Sequence, residues 1–184
     1  MRRERASRNC SGPLHDQPVY LGHSFLTDLL LLRIPFLEPL AYDPRYPWIQ
    51  DALRTTAEAL SLGASRVLDV DPGELSAGYR LVPPSANEAP GTLRVADIDL
   101  FDTASGGAGY AAEAGEMLTR VLDQTIRLLE KCPKHCERSC TFCLRHNGNR
   151  CWQERLDRFL VLDFLRYASY GTVPPVPEVS RQAS

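Results

Sequence analysis

The sequence predicts an α+β fold, in which a small β-sheet and about three principal helices flank a four-cysteine loop between the last two helices. Three stretches have the aliphatic or alternating pattern of strands, and three others repeat apolar residues at helical spacing. Four cysteines fall within twelve residues. At 184 residues, with 43 % hydrophobic and 24 % charged residues, the chain is long enough for one domain with its own core.

The strands and the first helix come from the first 101 residues. Strands are predicted at 20–34, 74–82 and 93–101. Pro35 and Pro39 interrupt the first strand, since proline removes a ladder donor. Pro47 begins a helix of about four turns with one apolar stripe, and Gly63 fits its C-terminal end. The remaining two helices are expected at 111–131 and 153–170, with Gly171 ending the last one. We expect a flexible lead-in at 1–17, a folded domain at 18–171 and a disordered tail at 172–184.

The cysteines carry the strongest chemical signal. Their order is C-x3-C-x3-C-x2-C, and they are Cys132, Cys136, Cys140 and Cys143. The residues between them are mostly polar, so packing does not explain the cluster. Four thiolates suit a tetrahedral ion, and with every position filled no water can be activated. The pattern therefore predicts one structural Zn²⁺, and Cys151 is left as a bystander or a substitute ligand.

Two other interpretations of the cysteines remain open. Disulfides need an oxidising compartment, but the basic opening of the chain has no apolar core of a signal peptide. Cys136, Cys140 and Cys143 also have the C-x3-C-x2-C spacing of radical S-adenosylmethionine enzymes, which would hold an iron–sulfur cluster. Only 41 residues follow Cys143, too few for the barrel that such enzymes need. With no apolar run long enough to cross a bilayer, we expect a cytoplasmic protein without a membrane segment.

The charge distribution suggests a weak nucleic-acid contact. The whole chain has a net charge of −2, but residues 131–158, called here the basic segment, hold seven Lys or Arg against three acids. The candidate phosphate contacts in it are Lys134, Arg138, Arg145 and Arg150. Phe142 or Trp152 could stack on a base if exposed, although we expect Trp152 to pack in the core. The alternative is a solvated loop whose cations offset the thiolates, or an acidic protein partner.

A glycine-rich turn, Gly107-x-Gly109, precedes the helix predicted at 111–131. The favoured interpretation is a structural turn, and the second is a phosphate contact by backbone amides. A dinucleotide site is the least favoured, because no second parallel strand follows the helix. Asp97, Asp99 and Asp102 could form a magnesium-dependent nuclease site, yet we expect them to face solvent. There is no G-x4-G-K-[ST] P-loop, so we predict that the chain is not an enzyme.

Several motifs occur together in a fixed order. They are Leu21-Gly22-His23 with Thr27-Asp28, Phe101-Asp102-Thr103 with Ser105 to Tyr110, the four cysteines, and Asn149 with Leu156-Asp157-Arg158. This combination, from about residue 20 to residue 170, resembles the MrfA-type zinc-binding domain at the C-terminal end of bacterial superfamily-2 DNA helicases. It is also similar to the zinc-domain subunit of the DISARM anti-phage system.

The resemblance implies that the four cysteines bind zinc and that the domain serves a helicase in DNA repair or anti-phage defence. Its partners would be a superfamily-2 helicase subunit or domain and, weakly and nonspecifically, DNA. Because the motor motifs are absent from the sequence, we expect an accessory subunit, a split-off C-terminal piece or a degenerate remnant. The alternatives are a purely structural protein-interaction domain and, less favoured, an iron–sulfur redox protein.

Overall fold

The computed structural model describes residues 22–37 and 47–171, which form a three-stranded antiparallel sheet and four α-helices. The elements in chain order are β1 (Leu29–Leu37), α1 (Pro47–Leu68), β2 (Leu75–Val82), β3 (Thr92–Asp102), α2 (Tyr110–Glu116), α3 (Leu118–Glu130) and α4 (Arg158–Tyr170). The α+β prediction is confirmed, with the cysteine cluster between α3 and α4. The lead-in at 1–17 and the tail at 172–184 lie outside the described residues.

The sheet has the order β1-β3-β2, with β3 in the middle. β2 and β3 lie close to their predicted positions, but β1 lies later than predicted. Pro35 does not end β1; it lies inside the strand, opposite Val95 of β3. The prediction was wrong here because β1 is an edge strand of this sheet, and an edge strand tolerates a residue without a backbone donor. Pro39 lies outside the described residues.

The core lies between one face of the sheet and the helices. Most of its largest fully buried side chains come from β1, α1, β3, α3 and α4, and they include Phe36, Leu53, Ile98, Leu129 and Phe164. Helix α1 contacts both β2 and β3 on one side and α3 and α4 on the other. It is therefore the central element against which the two ends of the cysteine loop are supported. Within the described ranges, no helix is both long enough and apolar enough to cross a membrane.

Helix α1 continues past the predicted end at Gly63 as far as Leu68. A Cβ atom at position 63 would collide with Oγ1 of Thr125 on α3. The glycine therefore permits the close approach of α1 and α3 and does not end the helix. The prediction was wrong because a buried glycine at a helix crossing has the same local sequence signature as one at a helix end.

The other helices also differ from the predicted bounds. The helix expected at 111–131 is interrupted at Met117, where φ is −102° and ψ is 23°, so it becomes α2 and α3. The last helix begins at Arg158 and not at residue 153, since the Asp157 side chain accepts a hydrogen bond from the Phe159 amide and caps it. Gly171, with φ of 67°, ends the helix as predicted.

Asp97 does not face solvent as expected. It is fully buried, and its carboxylate accepts hydrogen bonds from Nε of Arg33 at 2.8 Å and Nε of Arg80 at 3.0 Å. The hydrogen bond from Arg33, supported by Arg80, holds the pKa of Asp97 below its ordinary value against the opposing effect of burial. The two arginines on the flanking strands thus compensate the charge of the buried carboxylate. The alternation of apolar and polar residues along β3 contains no information about these two arginines.

Candidate metal centre

The four predicted cysteines converge on one point. All four Sγ atoms lie within 4.8 Å of one another. The Sγ atom of Cys132 lies 3.7 Å from that of Cys136 and 3.5 Å from that of Cys140, and Cys143 lies 3.7 Å from Cys136 and 3.8 Å from Cys140. Zn–S bonds of about 2.3 Å in a tetrahedron require sulfur atoms about 3.8 Å apart. The donor set therefore fits a single structural zinc, which these four thiolates would hold.

The local backbone explains how so short a loop places four sulfurs together. Cys132 lies two residues after the end of α3, and the His135 amide donates to the Cys132 carbonyl in a turn where His135 has a φ of 46°. The second pair comes from one tight turn, in which the amides of Cys143, Leu144 and Arg145 all bond to the Cys140 carbonyl. The Cys140 amide also donates to Sγ of Cys143 at 3.3 Å. Such a contact stabilises a thiolate more than a thiol.

Burial and proximity shape the acidity of the thiols. Cys132 and Cys143 are buried, whereas Cys136 and Cys140 are half-buried. Burial raises the pKa of both Cys136 and Cys143. Burial also acts to raise the pKa of Cys132, but backbone N–H groups of Cys136 and Lys134 and the neighbouring thiols lower it to about 6. Several thiolates so close together repel one another, and a divalent cation removes that repulsion.

Arg158 connects this cluster to the two helices beside it. Its side chain is buried, and its Nε donates to the Cys136 carbonyl at 3.0 Å while a terminal nitrogen donates to the Leu129 carbonyl at 2.6 Å. Its backbone amide bonds to the Arg138 carbonyl. One residue at the start of α4 thus fixes the end of α3 and the middle of the loop. Its position within Leu156-Asp157-Arg158 was noted in the sequence, but its role was not.

A second polar group fixes the far side of the loop to α1. Asn149 is almost fully buried; its Nδ2 donates to the Leu144 carbonyl at 2.8 Å and to Oε2 of Glu58 at 3.1 Å. Nε2 of His146 lies 3.2 Å from the same Glu58 oxygen, and the His146 amide donates to Oδ1 of Asn149. Glu58 comes from the middle of α1, so no local pattern in the sequence could have paired it with Asn149.

The four predicted cations all lie in the basic segment and differ in their surroundings. Lys134 is exposed, with Nζ 5.1 Å from the centre of the Phe142 ring. Nε of Arg138 lies 3.3 Å from Oδ2 of Asp157, and its side chain remains 51 % exposed. Arg145 is half-buried and donates from Nε to Oγ of Ser139 at 2.9 Å, while Arg150 is exposed.

The aromatic residues and the fifth cysteine of this region lie at the surface. Phe142 is 52 % exposed. Trp152 is not in the core as expected: it is 37 % exposed, and the guanidinium groups of Arg54 and Arg155 lie 4.9 Å and 5.9 Å from its ring centre. These two guanidinium groups pack against the indole ring in cation–π contacts, whereas the prediction placed the ring against the last helix. Cys151 is exposed and outside the four-sulfur cluster, so it does not replace a ligand in this arrangement.

The glycine-rich turn is bonded to carboxylates of the chain itself. Gly107 and Gly109 have φ values of 76° and 86°. Asp102, which was expected to face solvent, is fully buried and accepts hydrogen bonds from the amides of Ala108, Tyr110 and Ala111. The Gly109 amide donates to Asp28 at 3.1 Å. Asp102 is buried because these amides compensate its charge at the start of α2.

The comparisons agree with this geometry. Residues 56–144 match the family model of the MrfA Zn-binding domain. The match begins inside α1, includes β2, β3, α2, α3 and all four cysteines, and ends just after the fourth cysteine. The expected likeness to a MrfA-type zinc-binding domain is thereby confirmed for this part of the chain.

Two relatives extend the likeness beyond that range. The chain is 47 % identical over 173 residues to the Druantia protein DruE of Escherichia coli (strain UMEA 4076-1), a match that covers 91 % of this chain and 9 % of that protein. A crystal structure of the DUF1998 helicase MrfA bound to DNA matches with a TM-score of 0.51 and 16 % identity, over 76 % of this chain and 17 % of that one. The latter likeness shows a shared fold. The chain thus spans about a tenth and a sixth of these two proteins.

Proposed function

We propose that this chain is a non-catalytic, zinc-stabilised accessory module of a bacterial DNA helicase system, and that it helps a superfamily-2 motor to engage DNA. The observation that carries the proposal is the pairing of a closed four-sulfur site with solvent-exposed cations in the same segment. A site with four protein ligands stabilises structure and leaves no position for substrate. The zinc therefore serves to hold the surface of the loop, and that surface performs the recognition.

The relatives support a helicase partner. The matched family takes its name from MrfA, and the crystal structure that shares the fold is that of a helicase bound to DNA. The higher identity to a Druantia protein favours a role in anti-phage defence over one in DNA repair. The motor would be supplied either by a separate subunit or by another part of a longer chain, as the small shares of the two relatives suggest.

The surroundings of the acidic residues support a role without catalysis. Asp97 is paired with two arginines inside the sheet, and Asp102 is occupied by three backbone amides. Neither carboxylate is available to hold a catalytic magnesium ion. We therefore assign no hydrolytic or phosphoryl-transfer step to the described residues.

We propose that Lys134, Arg138, Arg145 and Arg150 contact DNA phosphates. The exposure of Lys134, Arg138 and Arg150 and the common segment of all four support this, although Arg138 and the half-buried Arg145 already have partners within the chain. Gly107 and Gly109 are not part of this proposed DNA contact, because the backbone amides of that turn already donate to Asp102, Asp28 and the Ala104 carbonyl. With few cations and no base-reading helix, binding should be nonspecific, with Kd on the order of 10⁻⁴–10⁻⁶ M at physiological salt.

The test is a titration of a fluorescent single-stranded oligonucleotide with the purified chain at several salt concentrations. Arg138→Ala with Arg150→Ala should weaken binding and flatten the salt dependence, since each lost phosphate contact lowers the slope by about 0.7 on a single strand. Arg166→Ala is the control, because this arginine lies on α4 and pairs with Glu130 and Asp163. If the double variant binds DNA like the wild type while zinc is retained, the segment faces a protein partner instead.

A further inference from the structure

A second cationic surface lies between α1 and α3, outside the cysteine loop. It is a cleft of about 360 Å³ lined by residues from the last turn of α1 and from the exposed side of α3. The lining residues are Arg66, Val67, Arg120, Asp123, Gln124 and Arg127. Three guanidinium groups and one carboxylate give the cleft a net charge of +2. In a chain whose total net charge is −2, this is a local reversal of sign.

The arginines of this cleft lack the carboxylate partners that half of the other described arginines have. Elsewhere in the described ranges, five arginines form ion pairs with carboxylates, and these are Arg33, Arg80, Arg138, Arg155 and Arg166. No described carboxylate lies within 4.0 Å of the side-chain nitrogens of Arg66 or Arg127, even though Asp123 lines the same cleft. Arg120 contacts the sulfur of Met117 at 3.2 Å, which leaves its charge uncompensated.

The spacing of these arginines indicates the kind of anion. Arg120 and Arg127 are seven residues apart on α3, which places their backbones about 10 Å apart along the helix. Side chains that start this far apart can each contact a different phosphate of one strand. Planar guanidinium groups also match phosphate oxygens in pairs.

We propose that the α1–α3 cleft binds the phosphate backbone of a nucleic-acid strand, as a contact separate from the basic segment. The cleft and the cysteine loop lie along the same helix, since α3 ends at Glu130 and Cys132 follows. Helix α3 thus connects the cleft to the basic segment. This contact rests on its own residues, so it holds or fails independently of the loop cations.

The experiment uses a double variant that carries both Arg66→Gln and Arg127→Gln. It is compared with the wild-type chain in the same oligonucleotide titration. Two lost phosphate contacts should lower the salt slope by about 1.4 and weaken binding at low salt by on the order of tenfold. Arg94→Gln made together with Arg166→Gln is the matched control, because it also removes two charges from exposed arginines, neither of which lines the cleft. Zinc content and thermal unfolding verify that each variant is folded, and the control should bind like the wild type.

The outcomes separate the two surfaces. If the cleft variant binds as tightly as the wild type with the same salt slope, this inference is wrong, whatever Arg138→Ala with Arg150→Ala does. If only the cleft variant loses binding, the cleft contact stands and the loop contact fails. Inorganic pyrophosphate and ATP serve as competitors. Displacement of the oligonucleotide by either at micromolar concentration would show that the cleft binds a free phosphate compound and not a nucleic-acid strand. Absence of any binding by the wild type at low salt would overturn both contacts.

Discussion

Replacing Cys140 by serine should abolish both metal binding and cooperative folding. Cys140 supplies one of the four sulfurs, its Sγ lies 3.5 Å from Cys132 and 3.8 Å from Cys143, and its carbonyl accepts three amides of the turn. A serine hydroxyl is a poor zinc ligand at neutral pH. Apparent free energies of structural zinc sites in small peptides are roughly 10–16 kcal/mol, and whole domains are stable by only about 5–15 kcal/mol. Loss of most of the metal contribution therefore leaves little stability.

The measurement is elemental analysis of the purified protein together with thermal unfolding followed by circular dichroism. The wild type should contain about one zinc per chain, and Cys140→Ser should contain almost none and unfold over a broad temperature range. Cys151→Ser is the matched control, because this cysteine is exposed and outside the cluster. It should retain zinc and the wild-type melting temperature.

Two results would refute this reasoning. Iron in stoichiometric amounts, with a brown colour after anaerobic purification, would show that the cysteines hold an iron–sulfur cluster and not zinc. A Cys140→Ser protein that is free of metal yet unfolds cooperatively at the wild-type temperature would show that the loop is held by its polar contacts alone.

Three further predictions concern the frame around the site. Arg158→Met leaves the Leu129 and Cys136 carbonyls without a donor and should destabilise the fold by about 1–3 kcal/mol in urea unfolding, whereas Arg166→Met should change it by less than about 0.5 kcal/mol. Gly63→Ala should lower stability by about 1–3 kcal/mol despite the helix propensity of alanine, and Thr125→Ala should restore part of that loss; no loss would contradict the close crossing of α1 and α3. Because the pKa of Asp97 is lowered in the folded state, its stabilisation is complete above its ordinary value of 3.8 and is lost as pH falls through the folded pKa. The melting temperature of Asp97→Asn should therefore fall less than that of the wild type between pH 5 and pH 2, and parallel curves would refute this.

The sequence predicted the features that depend on short-range patterns. Four cysteines in twelve residues define their own site, alternation marked β2 and β3, and Gly171 marked the end of α4. Each of these follows from residues close together in the chain.

Two of the incorrect predictions share one physical cause. Asp97 was expected in solvent because its partners, Arg33 and Arg80, lie on two other strands. Gly63 is predicted to end α1 because Thr125, whose side chain requires a glycine at this position, lies on α3. In both cases the residue type is explained by a neighbour distant in sequence, and propensity or alternation contains no information about such a neighbour.

The same distant contacts determine how the zinc site would serve binding. The segment between α3 and α4 is fixed at one side by Arg158 and at the other by Asn149 and Glu58, and the four sulfurs fix its middle. Cations on a free loop of this length would lose conformational entropy when they bind phosphate. Here Lys134 and Arg138 project from a loop that the sulfurs and these polar contacts hold, so the proposed phosphate contact would lose less free energy in ordering the loop. A metal that takes no part in chemistry can in this way increase the affinity of a surface that it does not itself touch.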